Sequence, residues 1–176
     1  MRKITIGFST SRSKFAIGAI IIRIFEGTKF SHTYMEFRSD SLFRSMIYQA
    51  SHGLVNFMNE QVFDKDNVII ESFEVQVTDD QYNQILAFCI DCAGVKYGKL
   101  ELIGIGIARI KAKLGFAETN PFSDGPRTFV CSELMGYVLN ILGCQLDSKR
   151  LEIEGPAFIR DTVAQLSKDQ QTKGLQ

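Results

Sequence analysis

Thr128-Phe129-Val130-Cys131-Ser132-Glu133-Leu134 carries a cysteine to the point where an apolar approach turns into a helix. From Cys131 to Leu142, Leu134, Val138, Ile141 and Leu142 fall on one helical face, and Gly143 supplies the stop. A thiol in the first turn of such a helix meets unpaired backbone N–H groups and the positive end of the helix dipole. Both favour thiolate and lower the thiol pKa. The same N–H groups suit the oxyanion that forms when a thiolate attacks a carbonyl. Glu133 also suits the dipole, but its charge opposes a thiolate if it faces the sulfur. The alternative reading makes Cys131 a small buried core residue.

A nucleophilic cysteine needs a base, and the chain has two histidines. His52 sits in Ser51-His52-Gly53, a turn in which a histidine is ordinarily solvated and idle. His32 lies in Phe30-Ser31-His32-Thr33-Tyr34-Met35-Glu36-Phe37, a β-rich stretch that puts Phe30, His32, Tyr34 and Glu36 on one face. A rigid strand there holds an imidazole for a helix start packed beside it; the alternative is a hydrogen-bonded core histidine. A base also wants an orienting partner for its tautomer and ring plane. Gln49 is the polar residue within Met46-Ile47-Tyr48-Gln49-Ala50, and its amide oxygen suits that task from a neighbouring strand. Glu36 is the rival, but four residues along an extended strand is about 13 Å, too far for contact.

Outward from these sites, the first 78 residues read as one helix and a mostly antiparallel sheet. Ile4–Phe8, Phe30–Phe37, Met46–Ala50, Leu54–Met58 and Val68–Val77 are the strands, with a tight turn at Ser51-His52-Gly53. Ser13 caps a helix over Phe15–Glu26 that Gly27 ends. The second half is helical. Thr78-Asp79-Asp80-Gln81 is a capping-box pattern opening a helix that runs to Gly94. A second helix is expected over Leu100–Leu114, a loop over Asn120–Arg127, and a last helix from Pro156 to about Leu166. Residues 1–166 thus form one domain, and 167–176 a polar, flexible tail.

Composition narrows the function classes. A chain of 176 residues, 45% hydrophobic, is one domain able to build a core without bridges or metal. Twenty basic against twenty acidic residues argue against a dominant attraction to nucleic acid or an anionic membrane and leave room only for a local patch. The longest apolar run, Phe15–Ile22, falls short of the about 20 residues a membrane span needs. The basic start, Met1-Arg2-Lys3, is separated from that run and followed by no small-x-small cleavage site. A cytoplasmic location is therefore expected. Cys89, Cys92, Cys131 and Cys144 have no framework spacing and read as free thiols. Cys89-x-x-Cys92 lies inside a helix rather than a knuckle, so no metal site is expected.

The order of these motifs resembles the permuted papain-like amidases, the YiiX-like branch of the NlpC superfamily of cysteine hydrolases. The matching pieces are Phe30-Ser31-His32, an aliphatic strand carrying a polar residue 17 positions on at Gln49, and Phe129-Val130-Cys131-Ser132-Glu133-Leu134. Lys96-Tyr97-Gly98-Lys99-Leu100-Glu101-Leu102 and Gly155-Pro156-Ala157-Phe158 are also similar. In ordinary papain-like enzymes the cysteine precedes the histidine; here it follows, as circular permutation requires. The resemblance implies an α+β, permuted papain-like (NlpC-type) fold, with an antiparallel sheet packed against helices. It makes Cys131 the nucleophile, His32 the general base and acid, and Gln49 the third member. It puts Tyr97 in the cleft near the oxyanion, with the Cys131 backbone N–H as a donor. Gln49 departs from the acidic residue typical of YiiX-like relatives. An amide orients the ring but stabilises imidazolium less.

The expected activity is hydrolysis of a peptide-like amide through a thioester acyl-enzyme, without a cofactor. Peptide or acyl substrates are the expected partners, and no nucleic acid. Two alternatives stand beside it. One is a lipid acyl hydrolase or acyltransferase on the same dyad, although Val130-Cys131-Ser132-Glu133 does not match the Asn-Cys-Glu-His of the vertebrate lipid acyltransferases. The other is a catalytically inactive binding or inhibitory module of the same fold.

Overall fold

The structure, a computed structural model, describes residues 1–39, 43–51, 53–98, 104, 105, 108, 111, 115, 117, 119, 120 and 128–173. His52 lies outside the described residues, as do most of the helix expected over 100–114 and of the loop expected over 120–127.

Alternating apolar residues build the sheet. Its strands are β1 (Arg2–Ser11), β2 (His32–Ser39), β3 (Arg44–Ser51), β4 (Leu54–Asn59), β5 (Asn67–Val77), β6 (Lys96–Tyr97) and β7 (Thr128–Phe129). They lie in the order β5-β1-β2-β3-β4-β6-β7, antiparallel except for the β6–β7 pair. The helices among the described residues are α1 (Ile17–Glu26), α2 (Glu60–Asp66), α3 (Asp79–Cys92), α4 (Cys131–Ile141), α5 (Ser148–Leu151) and α6 (Pro156–Lys173). The protein is a mixed α+β chain whose curled sheet carries layers on both faces.

Period-two alternation sends Ile4, Ile6, Phe8, Met35, Phe37, Tyr48, Ala50, Val75 and Val77 to one face. There they meet Ile85 and Cys89 of α3, Leu134, Met135, Val138 and Leu139 of α4, and Ile159 and Val163 of α6. The intervening Tyr34 and Ile47 face the other way and bury Phe63 of α2, whose ring lies 4.6 Å from that of Tyr34. Burying Phe63 completely contributes about 2–3 kcal/mol. Gly7, opposite Tyr34 in the β1–β2 register, leaves room for that ring; a methyl group there would overlap it.

The capping box at Thr78 is present in both halves, each bond 3.1 Å long. Other boundaries differ from expectation. Helix α1 begins at Ile17, because the Ser13 hydroxyl accepts from the Phe15 N–H (3.3 Å) and closes a turn instead of capping. Helices α2 and α5 were not expected; Asn59 and Asp147 cap them through bonds to Gln61 N–H and Lys149 N–H. The expected flexible tail from residue 167 is helical as far as Lys173. Gln170 holds it by pairing with both the N–H and the C=O of Gln76 at 2.8 Å, on the edge strand β5. Arg160, also on α6, forks onto both carboxylate oxygens of Glu71 on the same strand.

Candidate active site

Helix α4 starts at Cys131 because Val130 is extended and no side chain caps the end. The approach strand β7 is fixed by its register with β6, which pairs Tyr97 with Phe129. Ser132 anchors the first turn by donating to the Glu154 carbonyl at 2.9 Å. The body of α4 packs on β2 and β3. That packing sets Cys131 against β2, close to the backbone of Thr33, the residue after His32.

His32 opens β2 on the face of Tyr34, half-buried, with its ring centroid 6.5 Å from that of Phe63. The pairing of Met35 with Tyr48, carried one step on, sets Gln49 beside Tyr34 and on the His32 face. The Gln49 amide oxygen lies 2.8 Å from His32 Nε2. Its NH₂ group donates to the Met58 sulfur at 3.7 Å, which fixes the amide with its oxygen towards the imidazole. Nε2 therefore carries the proton, and the lone pair of the neutral ring is on Nδ1. Gln49 itself is 1% exposed, so this acceptor is held in place. Glu36 pairs with Thr5 and Ile47, farther along the strand.

The expected lowering of the thiol pKa does not occur. Cys131 is 1% exposed, and burial pushes its thiol up to about 11. The backbone of Thr33 and of the first turn of α4 pulls it down, while the Glu26 carboxylate pushes it further up. Glu133 acts on Tyr137, whose pKa is raised first by burial and then by that charge. Glu26 ends α1, and its carboxylate accepts from the Ala157 N–H (2.8 Å) in the first turn of α6. Sequence reasoning missed Glu26, because nothing local ties it to residues more than a hundred positions away. Near the site, the buried hydroxyls of Ser9, which pairs with His32, and of Thr33 have no hydrogen-bond partner among the described residues.

Tyr97 lies beside the approach strand, donating its N–H to the Gly53 carbonyl (2.9 Å), and it packs against the main core. Cys89 and Cys92 line the core side of α3. Burial raises both thiols. The structure thus joins His32 to Gln49, packs the helix that begins at Cys131 on the strand of His32, and sets Tyr97 against the strand that leads to Cys131.

No known protein family matches the chain, and no curated protein matches it. Among the described residues, no helix is long and apolar enough to cross a membrane.

Proposed function

We propose that the chain is a cysteine hydrolase of permuted papain-like architecture acting on a peptide-like amide, with Cys131, His32 and Gln49 as its triad. The observation that carries this reading is the His32 imidazole held at 2.8 Å by Gln49, at the start of the strand on which the helix that begins at Cys131 packs. The chain order of histidine strand, glutamine strand and cysteine helix supports the permuted arrangement.

The chemistry runs in two balanced halves. His32 Nδ1 takes the thiol proton, and the thiolate forms a C–S bond with the substrate carbonyl. The oxyanion is held by N–H groups of the first turn of α4, Cys131 among them. Its collapse breaks the C–N bond, and the imidazolium gives its proton to the departing amine. Water, deprotonated at Nδ1, then attacks the thioester and releases a carboxylic acid and the thiol. Gln49 keeps Nδ1 as the basic nitrogen throughout, and Tyr97 borders the cleft on the side of the approach strand. No step requires a cofactor.

The raised pKa bears on how the thiolate arises. With the thiol at about 11, few sulfurs ionise by themselves near neutral pH, so proton transfer within the Cys131–His32 pair supplies the nucleophile. The burial of Cys131 also favours a second reading, an inactive binding module whose cysteine is structural. Incubation with peptide amides and, separately, fatty-acyl esters, followed by intact mass, separates the two. The hydrolase reading expects an acyl adduct on Cys131 from the amides, absent in Cys131→Ala. Adducts from the esters alone favour the lipid-acyl alternative, and no adduct from either class favours the inactive module.

A further inference from the structure

Helix α1 turns its apolar side outward. Ile17, Ile21, Ile24 and Phe25 are 70%, 45%, 73% and 38% exposed, and no residue of the helix is buried. Phe15, just ahead of it, is 90% exposed. The inner side carries Glu26, bound to the start of α6. This inverts the usual arrangement, in which an amphipathic helix buries its apolar stripe. Exposing so much aliphatic and aromatic surface in one patch marks an interaction site.

The charges around the patch select the occupant. From residue 12 to residue 29 the cations are Arg12, Lys14, Arg23 and Lys29, while Glu26, the one acid, is turned inward. Among the described residues, Lys14, Arg23 and Lys29 make no ion pair. Arg23 and Lys29 line a shallow hollow together with Ile20, Ile24 and Thr28, where an anionic headgroup meets two cations beside aliphatic carbon. In a chain of zero net charge, an apolar helix face is thus flanked by three cations outside any ion pair among the described residues, Arg23 on the helix and Lys14 and Lys29 beyond its two ends. At 1.5 Å per residue α1 is about 15 Å long, half a bilayer core, so it suits lying in the interface and not spanning it.

We propose that α1 docks the protein on an anionic phospholipid bilayer, with Ile17, Ile21, Ile24 and Phe25 entering the headgroup boundary and Lys14, Arg23 and Lys29 meeting lipid phosphates. This inference is independent of catalysis.

Vesicle flotation of the full chain tests it, with phosphatidylcholine vesicles compared with vesicles containing a quarter phosphatidylglycerol, at low salt. Binding is expected to the anionic vesicles and to fade as salt rises. Arg23→Glu with Lys29→Glu weakens it by about 25-fold or more, at roughly fivefold per cation. Ile17→Ser with Ile24→Ser weakens it at least tenfold without changing the thermal melt, since neither side chain is buried. The chain has no tryptophan, so Ile24→Trp adds a single reporter whose emission shifts to the blue on binding. Failure to float with anionic vesicles overturns the proposal, as does flotation indifferent to both double variants. A dimer dispersed by Ile24→Ser, without vesicle binding, assigns the face to a second copy and overturns it too.

Discussion

Replacing Gln49 by leucine tests the triad at its least conventional member. With the ring of His32 neutral, its hydrogen bond to Gln49 contributes about 0.5–1.5 kcal/mol. When the Cys131 proton moves to Nδ1, the 2.8 Å bond from Nε2 becomes charge-assisted and contributes about 1.5–3 kcal/mol. The difference, about 1–1.5 kcal/mol, is what Gln49 adds to formation of the thiolate–imidazolium pair, or about tenfold in its population. Gln49→Leu should therefore slow alkylation of Cys131 by iodoacetamide about tenfold at pH 7. The rate is followed residue by residue with mass spectrometry. The same change leaves the Nε2 proton without its acceptor, at about 1 kcal/mol, or about 2–4 °C in melting temperature for a chain of this size. Gln49→Glu places a charge opposite the imidazolium and should raise the neutral-pH rate above wild type. If the leucine variant folds and alkylates within twofold of the wild-type rate, Gln49 does not support the base.

Two further outcomes follow from the buried thiol. Its folded pKa of about 11 exceeds the ordinary value of 9.0, so the native state keeps a proton that the unfolded chain releases. The stabilisation is complete below pH 9 and is lost as pH rises from 9 through 11, by about 2–3 kcal/mol. Cys131→Ala should lose that part of the alkaline slope in urea-unfolding midpoints, and an unchanged slope contradicts the buried-thiol account. Glu26→Gln keeps an acceptor for the Ala157 N–H but removes the charge that disfavours the thiolate. Alkylation of Cys131 at pH 8 should therefore quicken, and an equal or slower rate refutes that electrostatic assignment.

Strand alternation and the Thr78 capping box were legible because both depend on local spacing. The His32–Gln49 contact was legible for a related reason: a lone amide in an apolar strand must find a partner. Helices α2 and α5 are short enough that Asn59 and Asp147 carry their signal almost alone. Apolar periodicity fades after Leu166, while α6 continues because Gln170 pairs with Gln76, a contact 94 residues apart in the chain. Depth was the least legible property. A helix start lowers a thiol pKa only while the sulfur stays hydrated, and the packing of α4 onto β2 removes that water. Zero net charge likewise concealed the cations that flank the apolar face of α1, because most of the balancing acids lie elsewhere in the chain.

The pH profile of Cys131 alkylation in wild type and His32→Ala tests the central claim most directly. Proton transfer within a Cys131–His32 pair releases no proton to solvent, so the wild-type rate should hold a plateau between about pH 7 and 9. In His32→Ala the rate should climb about tenfold per pH unit towards the thiol pKa near 11. The same climb in both proteins would mean that the imidazole never receives the thiol proton.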